Sequence, residues 1–247
     1  MRGEGESMGE IFVGKHKVKT PAVCASIAGR EESEMERKIK LAGEADLVEV
    51  RMDLAGKKLD LSRIMPCGIP LILTNRPRKE GGGYEGGEKE RVGALLESMD
   101  LRPSCVDVEL STPPDLMREV LDEARRKKIS VLISHHEFSG TPKPEFLEDI
   151  LKKATDKGNF VKIVTMAKTR EDATRMLEFL VRTQERSEVP LISFAMGEAG
   201  KITRYIAPVL GSPWMYAGVL EKTAPGQPDL KTAVEWIHYL RELEVRE

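Results

Sequence analysis

The chain has 247 residues, of which 40% are hydrophobic, so it is long enough to bury a full core. Its 39 basic and 41 acidic residues are well mixed and give a formal charge of −2, which is not the pattern of a nucleic-acid-binding protein. Cys24, Cys67 and Cys105 fit no zinc-ligand spacing and leave an odd thiol, so we expect a reducing cytoplasm. Residues 1–14 lack an apolar signal region and no run is long enough for a membrane span, so we expect neither export nor membrane insertion.

Eight short apolar runs predict strands, and segments of helical period lie between most of them. The strands are predicted at 22–27, 46–51, 70–74, 105–110, 129–134, 160–165, 190–195 and 214–219. Capping patterns predict helix starts at Thr169-x-x-Asp172 and at Ser33-x-x-Glu36, while 55–68 has the weakest helical pattern. No G-x-G-x-x-G follows the first strand. The fold class is therefore α/β, a single (β/α)8 TIM barrel over 1–247 with 1–18 as an N-terminal extension.

Lys162 is the most informative residue, because it lies in the β-branched run Phe160-Val-Lys-Ile-Val164 that otherwise predicts a buried strand. Burying an unpaired charge is costly, and a desolvated lysine tends to lose its proton and become a nucleophile for a carbonyl group. We therefore favour Schiff-base chemistry. The alternative is a lysine that lies at a sheet edge, or one whose side chain extends out of the sheet to solvent.

Other polar residues come late in the predicted strands, where a parallel barrel places its active site. Members of a group are two apart, so they lie on the same side of their strand, and we expect them all at one mouth of the barrel. They are Ser26; Glu49, Arg51 and Asp53; Thr74 and Arg76; Asp107 and Glu109; Ser134 and His136; Lys162; and Ser193.

The segment Glu49-Val-Arg-Met-Asp53 places three charges on one strand face. A carboxylate accepts and a guanidinium donates hydrogen bonds in fixed directions, so the pair can bind neighbouring hydroxyls of a small polar ring. The alternative is an ion-paired network that only stabilises the end of the barrel.

His135 and His136 end the fifth strand, and adjacent residues point in opposite directions. We expect one to face the mouth as a general acid/base and the other to meet solvent, with a purely structural histidine as the alternative. Residues 80–87 form a glycine-rich loop without a P-loop ending, so it is either a mobile lid or a surface loop. Arg204 follows strand seven, where barrels often bind anions, and 223–227 is a Pro-Gly turn after strand eight.

Ordered motifs follow the successive strands. They are Cys24-Ala-Ser-Ile, Glu49-Val-Arg-Met-Asp53, Asn75-Arg76, Lys79-Glu-Gly-Gly82, Ser134-His-His-Glu-Phe138, Thr141-Pro142, Lys162-Ile-Val-Thr-Met166, Ser193-Phe-Ala-Met-Gly197, Arg204 and Ala224-Pro-Gly-Gln227. In this order they resemble the type I 3-dehydroquinate dehydratases of the shikimate pathway, which serve aromatic amino acid biosynthesis. The resemblance spans nearly the whole barrel.

This resemblance implies that Lys162 forms an imine with the C3 ketone of 3-dehydroquinate, that His136 transfers the C2 proton and protonates the leaving C1 hydroxyl, and that Glu80 orients His136. It implies that Arg204 and Gln227 hold the substrate carboxylate and that Glu49, Arg51 and Arg76 surround the ring hydroxyls. Ser26, Phe138, Met196 and Thr223 would complete the pocket. The resemblance implies no metal or organic cofactor, and we expect a cytoplasmic enzyme whose assembly is a homodimer, with no nucleic-acid or membrane partner.

The sequence departs mildly from the family pattern. Thr223 stands where serine is expected, Glu137 where aspartate or asparagine is more usual, and the loop at 80–87 is unusually rich in glycine. Two other readings stay open: a class I aldolase-like barrel with a strand-six lysine, and a catalytically silent barrel that binds a ligand or partner. Activity on an unphosphorylated ring substrate would distinguish a dehydratase from the aldolase-like barrel. The joint presence of lysine, histidine and glutamate argues against a catalytically silent barrel.

Overall fold

The computed structural model describes residues 9–55, 60–64, 68–184 and 186–244. Its strands are β1 (Glu10–Val13), β2 (His16–Lys19), β3 (Ala22–Ile27), β4 (Leu47–Arg51), β5 (Leu71–Thr74), β6 (Cys105–Glu109), β7 (Ser130–Glu137), β8 (Phe160–Met166), β9 (Leu191–Met196) and β10 (Trp214–Gly218). Its α-helices are α1 (Glu32–Leu41), α2 (Glu88–Ser98), α3 (Pro114–Lys127), α4 (Pro144–Thr155), α5 (Arg170–Gln184), α6 (Thr203–Val209) and α7 (Leu230–Glu244).

Strands β3 to β10 form one parallel eight-stranded sheet in the order β10-β3-β4-β5-β6-β7-β8-β9. Within the described residues no ladder joins β9 to β10, so the barrel is nearly closed. The predicted (β/α)8 fold is confirmed, and the eight predicted strands correspond to β3–β10. Their continuous apolar runs are buried by side chains of the barrel interior on one face and by helices on the other.

Local sequence explains how two of the helices begin. At α5 the predicted capping box is confirmed, because Asp172 N–H donates to Thr169 Oγ1 and Thr169 N–H donates to Asp172 Oδ2, both at 3.2 Å. The predicted cap at Ser33 is wrong: α1 begins one residue earlier, after Glu31, and Ser33 lies inside its first turn. The weak 55–68 segment contains a 3₁₀ turn at Leu61–Arg63, and the rest of it lies partly outside the described residues.

An antiparallel hairpin of β1 and β2 precedes the barrel. Its turn residue Gly14 donates its N–H to Ser130 Oγ at 2.8 Å, where β7 begins, and packs closely against the Ser104 backbone, where β6 begins. The hairpin therefore lies at the amino-terminal end of the barrel strands, away from their carboxyl ends. The assignment of 1–247 to one domain with an extension at 1–18 stays a prediction.

Cys24 and Cys105 are buried free thiols in the core, whereas Cys67 lies outside the described residues. Across the described ranges, no helix is both long enough and apolar enough to cross a membrane.

Candidate active site

Lys162 lies in the middle of the sheet. It pairs with Ser134 of β7 on one side and Ile192 of β9 on the other, so the alternative of an edge lysine is wrong. Its side chain is 7% exposed, and Nζ lies 3.6 Å from both Glu49 Oε1 and Asp107 Oδ2. Burial lowers the pKa of Lys162 below its ordinary value, and the Glu49 charge only partly opposes this shift. The site thus holds an amine whose ammonium form is destabilised.

Glu49 receives hydrogen bonds from two neighbouring strands. Ser26 Oγ donates to Oε2 at 2.6 Å and Thr74 Oγ1 donates to Oε1 at 3.1 Å. Burial raises the pKa of Glu49, but the charges of Lys162 and Arg51 outweigh that effect and bring it to about 2. Glu49 is therefore an ionised acceptor at the mouth of the barrel.

Arg51 is held by Asp53 in a two-pronged ion pair, Nε to Oδ1 at 2.9 Å and Nη2 to Oδ2 at 2.7 Å. Its Nη1 donates to the carbonyl of Thr223 at 3.4 Å. Planar bidentate contacts of this kind fix the direction of a guanidinium. The ion-pair interpretation of the 49–53 segment is confirmed for Arg51 and Asp53, and the binding of ring hydroxyls by this segment stays a prediction.

Arg76 connects the centre of the site. Its Nη2 contacts Asp107 Oδ2 at 2.5 Å, and its Nη1 donates to Ser134 Oγ at 3.0 Å and to His136 Nδ1 at 2.8 Å. Although burial alone lowers the pKa of Arg76, the surrounding carboxylates led by Asp107 raise it above its ordinary value. Arg76 is therefore permanently charged and can only donate hydrogen bonds.

His136 faces the mouth, with a side chain 8% exposed. Its backbone N–H donates to Glu80 Oε2 at 3.1 Å, and the same oxygen lies 3.5 Å from its Nδ1. Burial, followed by the Arg76 charge, lowers the pKa of His136 well below its ordinary value. The imidazole is therefore neutral at neutral pH, which is the form that can take up a proton.

The loop that carries Glu80 is tied to its surroundings by backbone contacts. Tyr84 N–H donates to the Arg76 carbonyl at 3.2 Å, and Gly83 N–H donates to Asp53 Oδ2 at 2.9 Å. A Cβ at Gly82 would lie 2.0 Å from the Arg76 carbonyl oxygen, so glycine is needed for this close approach. The glycines thus let the loop pack onto the end of β5.

Arg204 is a buried guanidinium without a carboxylate partner among the described residues. Its Nη2 donates to the Pro225 carbonyl at 2.9 Å, its guanidinium lies 4.3 Å from the Phe194 ring centroid, and its Nε is buried and unpartnered within the described chain. Burial lowers the pKa of Arg204 to about 10. An unpaired buried cation of this kind can bind an anion.

Gln227 lies in the loop after β10, two residues after the Pro225 that Arg204 contacts. Its Oε1 accepts a hydrogen bond from the N–H of Thr223 at 2.9 Å and lies 3.1 Å from Thr223 Oγ1, which leaves its amide N–H groups for a ligand. Thr223 Oγ1 in turn donates to Ser26 Oγ at 2.7 Å. A threonine therefore forms the hydroxyl contacts at the position where the resemblance predicted serine.

Similarity to known proteins identifies the family of the chain. Residues 23–244 match the family model of type I 3-dehydroquinase. A 3-dehydroquinate dehydratase of Methanococcoides burtonii is 37% identical over 228 residues, which are 87% of this chain and 94% of that protein. The chain belongs to the type I 3-dehydroquinase family. This is the family of a hydro-lyase, 3-dehydroquinate dehydratase.

Solved structures of the dehydroquinase family share the fold. The 3-dehydroquinate dehydratase of Geobacillus kaustophilus superposes with a TM-score of 0.83 at 25% identity, covering 95% of this chain and 97% of that one. The type I enzyme of Clostridium difficile gives a TM-score of 0.83 at 23% identity, over 96% of this chain and 99% of that one.

The remaining predicted residues of this dehydroquinase lie at the edge of the barrel mouth or on the outer face of the sheet, opposite Lys162. Met196 is buried at the end of β9, and Phe138 is 39% exposed with its ring against Gly81. Ser193 pairs with Ile163, so it lies on the sheet face opposite Lys162, and the expectation that it faces the mouth is wrong. His135 lies on the face opposite His136, but it is half-buried with Nε2 unpartnered among the described residues, so its expected solvent exposure is wrong too.

Several residues of this dehydroquinase site had no predicted role. Asp107 forms an ion pair with Arg76 and accepts a hydrogen bond from Ser134 Oγ at 2.5 Å. Glu109 Oε2 accepts a hydrogen bond from Nη1 of the fully buried Arg91 of α2, also at 2.5 Å. Ser111 Oγ donates to the second oxygen of Glu80 at 2.5 Å. Asp107 and Glu109 were visible as polar residues at a strand end, but Arg91 lies in a charged helix segment that gave no signal.

Proposed function

We propose that this protein dehydrates 3-dehydroquinate to 3-dehydroshikimate through an imine on Lys162, with His136 as general acid/base. One observation carries the proposal. The Lys162 amine is buried in the barrel mouth, its ammonium form is destabilised, and the carboxylate oxygens of Glu49 and Asp107 lie 3.6 Å from its nitrogen. An amine in this state is a nucleophile for a ketone. Family membership supports the choice of substrate.

The substrate carboxylate binds Arg204 and Gln227. These are a buried guanidinium without a carboxylate partner in the described chain and an amide with free donors, so together they match an anion that has left water. Their position after β9 and β10 fixes one end of the ring.

The ring hydroxyls are bound by charged groups of β4 and of the segment that follows β5. Glu49 accepts and Arg51 and Arg76 donate, so each hydroxyl finds a complementary partner. Around them Ser26, Phe138, Met196 and Thr223 complete the pocket.

In the first chemical step, the Lys162 lone pair attacks the C3 carbonyl carbon, and loss of water with uptake of one proton from solvent leaves a protonated imine. That proton is released again when the imine is hydrolysed. The positive nitrogen draws electron density from the adjacent carbons, so the C2 proton becomes acidic. His136 takes this proton, and the electron pair of the broken C–H bond forms an enamine. A neutral imidazole suffices as the base because the imine accepts the electrons.

In the second step, the enamine expels the C1 hydroxyl. His136, now an imidazolium, returns its proton to the leaving oxygen, so the group departs as water and the ring gains its double bond. Water then adds to the imine and releases 3-dehydroshikimate with the free Lys162 amine. Glu80 stabilises the imidazolium between the two transfers from its position 3.5 Å from Nδ1.

The test is a direct assay of 3-dehydroshikimate formation, followed by the ultraviolet absorbance of its conjugated enone. Lys162→Ala is expected to abolish turnover. His136→Ala is expected to lower kcat by about 10²–10⁴-fold while imine formation continues. His135→Ala is the matched control, because His135 lies on the other sheet face, and it should retain activity. Full turnover by Lys162→Ala, or a loss confined to His135→Ala, would contradict the proposal.

We also propose that the enzyme acts in the cytoplasm as a homodimer, since its cysteines fit a reducing compartment and barrel enzymes often dimerise. Light scattering coupled to size-exclusion chromatography tests the assembly: a mass of one chain across the working concentration range would contradict the dimer.

A further inference from the structure

Tyr216 lies against the amine of Lys162 and has no role in the steps described so far. It belongs to β10, pairs with Cys24 of β3, and is 5% exposed. The centroid of its ring is 4.0 Å from Lys162 Nζ. A distance of this size places the cation over the aromatic face.

Two further aromatic rings fix the orientation of Tyr216. Trp214, two residues earlier on the same strand, meets Tyr216 edge to face at 6.5 Å and 70°. Trp214 is itself packed against Phe160, at the start of the lysine strand, at 5.1 Å and 68°. This row of rings inside the barrel leaves Tyr216 little freedom to turn away from the amine.

The attraction between Tyr216 and the amine comes from the ring and not from a phenolate. Burial raises the pKa of the Tyr216 hydroxyl well above its ordinary value, so the side chain is neutral. A neutral aromatic face attracts a cation through its quadrupole, more strongly when water is excluded. It also forms no directional hydrogen bond that would occupy the nitrogen lone pair, so it does not oppose attack on a ketone.

We propose that the face of the Tyr216 ring stabilises the positive charge on Lys162 Nζ in the protonated imine, and so keeps the imine protonated while His136 removes the C2 proton. Tyr216 touches the reacting nitrogen and is therefore a catalytic residue. The inference rests on the proposed imine mechanism and adds to it the group that holds the charge of the intermediate.

Other titratable and charged groups also face this nitrogen, and their charges add to the effect of the Tyr216 ring. They are Glu49 of β4, Asp107 of β6, the thiol of Cys24 of β3, and the more distant Arg51, Arg76 and His136. Substitutions at 216 leave all of them in place, so a change in the pH behaviour of the imine reports the ring.

The experiment measures trapping of the imine by sodium cyanoborohydride, which reduces the protonated imine, as a function of pH with 3-dehydroquinate as substrate. Adducts are quantified by intact mass and mapped to Lys162. Tyr216→Phe keeps the ring and should behave as the parent protein does. In Tyr216→Leu the pH at which trapping falls to half should be lower by about 0.5–1 unit. A shift of this size is expected when a cation–ring contact away from water is lost.

Phe179→Leu is the matched control, because it removes a buried aromatic ring of α5 that lies outside this row, and its midpoint should not move. Tyr216→Met, which fills more of the space, serves if Tyr216→Leu does not fold. A folded Leu or Met variant with the parent midpoint would overturn the role of Tyr216. Failure of the parent protein itself to form an adduct on Lys162 would instead overturn the imine mechanism.

Discussion

Arg76 Nη1 donates a hydrogen bond to His136 Nδ1 at 2.8 Å, while Glu80 Oε2 is 3.5 Å from the same nitrogen. Because a guanidinium cannot accept, the neutral imidazole of the unliganded enzyme must carry its proton on Nε2. For Nε2 to act as the base, Arg76 has to turn to the substrate hydroxyls and let Nδ1–H face Glu80. Substrate binding would thus set the tautomer of the base.

This tautomer change can be observed by ¹⁵N NMR of histidine-labelled protein, with the His136 signal assigned from a His136→Asn sample. The unliganded enzyme should show the Nε2–H form, and saturation with the product 3-dehydroshikimate should shift it towards Nδ1–H. A Nδ1–H tautomer already present without ligand would contradict the arrangement. His135→Asn serves as the matched control for assignment.

The lowered pKa of His136 gives a second prediction. Burial and then the Arg76 charge favour the neutral ring, so the ring should titrate well below its ordinary value of about 6.5 in the unliganded enzyme. Arg76→Gln removes a positive neighbour and should raise the midpoint, whereas Lys79→Gln, at the half-exposed Lys79, should not. The readout is the histidine ring shift as a function of pH. A midpoint at or above 6.5 in the parent protein would show that burial does not control this group.

Arg204→Gln should raise KM far more than it lowers kcat, since it removes a charged partner of the carboxylate and leaves the reacting groups in place. Losing a hydrogen bond to a charged group costs about 1.5–3 kcal/mol, which corresponds to about 10- to 150-fold in kcat/KM. Steady-state kinetics with 3-dehydroquinate measure the split. Arg175→Gln, at a partly buried arginine that binds Asp172 and the Thr141 carbonyl, is the control. An unchanged KM in Arg204→Gln would remove Arg204 from the carboxylate site.

Substitution by alanine should have opposite effects at two glycines, one in the loop at 80–87 and one in α2. Gly82→Ala places a Cβ 2.0 Å from the Arg76 carbonyl oxygen, so the loop must shift, and both thermal stability and kcat should fall. Gly93 in α2 has nothing within 4 Å of an added Cβ, so Gly93→Ala should stabilise the protein by about 0.5–1 kcal/mol through helix propensity, with activity unchanged. Thermal unfolding and the enone assay test both. Full activity in Gly82→Ala would show that the position of Glu80 tolerates movement of the loop.

The strands, the barrel and the central lysine were predictable because they depend on local patterns. Continuous β-branched runs identify buried parallel strands. Lys162 interrupts one such run, and the register of β7, β8 and β9 shows that it lies on an inner strand of the sheet. The capping box at Thr169 is equally local, since its two hydrogen bonds join residues three apart.

The ion-pair partners could not be predicted because they join residues far apart in the chain. Arg91 forms an ion pair with Glu109 from a helix whose sequence shows only that it is highly charged. Asp107 forms its ion pair with Arg76, although other cations lie nearby. Ser33 shows the same limit at short range: it fits a cap pattern, but the helix starts at Glu32, where Glu34 instead accepts the Arg30 N–H at 2.9 Å. The local sequence is compatible with several ion-pair partners and helix starts, and the tertiary contacts determine which of them forms.

The central claim is that Lys162 forms the covalent intermediate. The most direct measurement is intact mass and peptide mapping after incubation with 3-dehydroquinate and sodium borohydride, which reduces a transient imine to a stable amine. The account predicts one ligand-sized adduct per chain, on Lys162, and none on Lys162→Ala. Dehydration by folded protein without any adduct, or an adduct on another lysine, would contradict it.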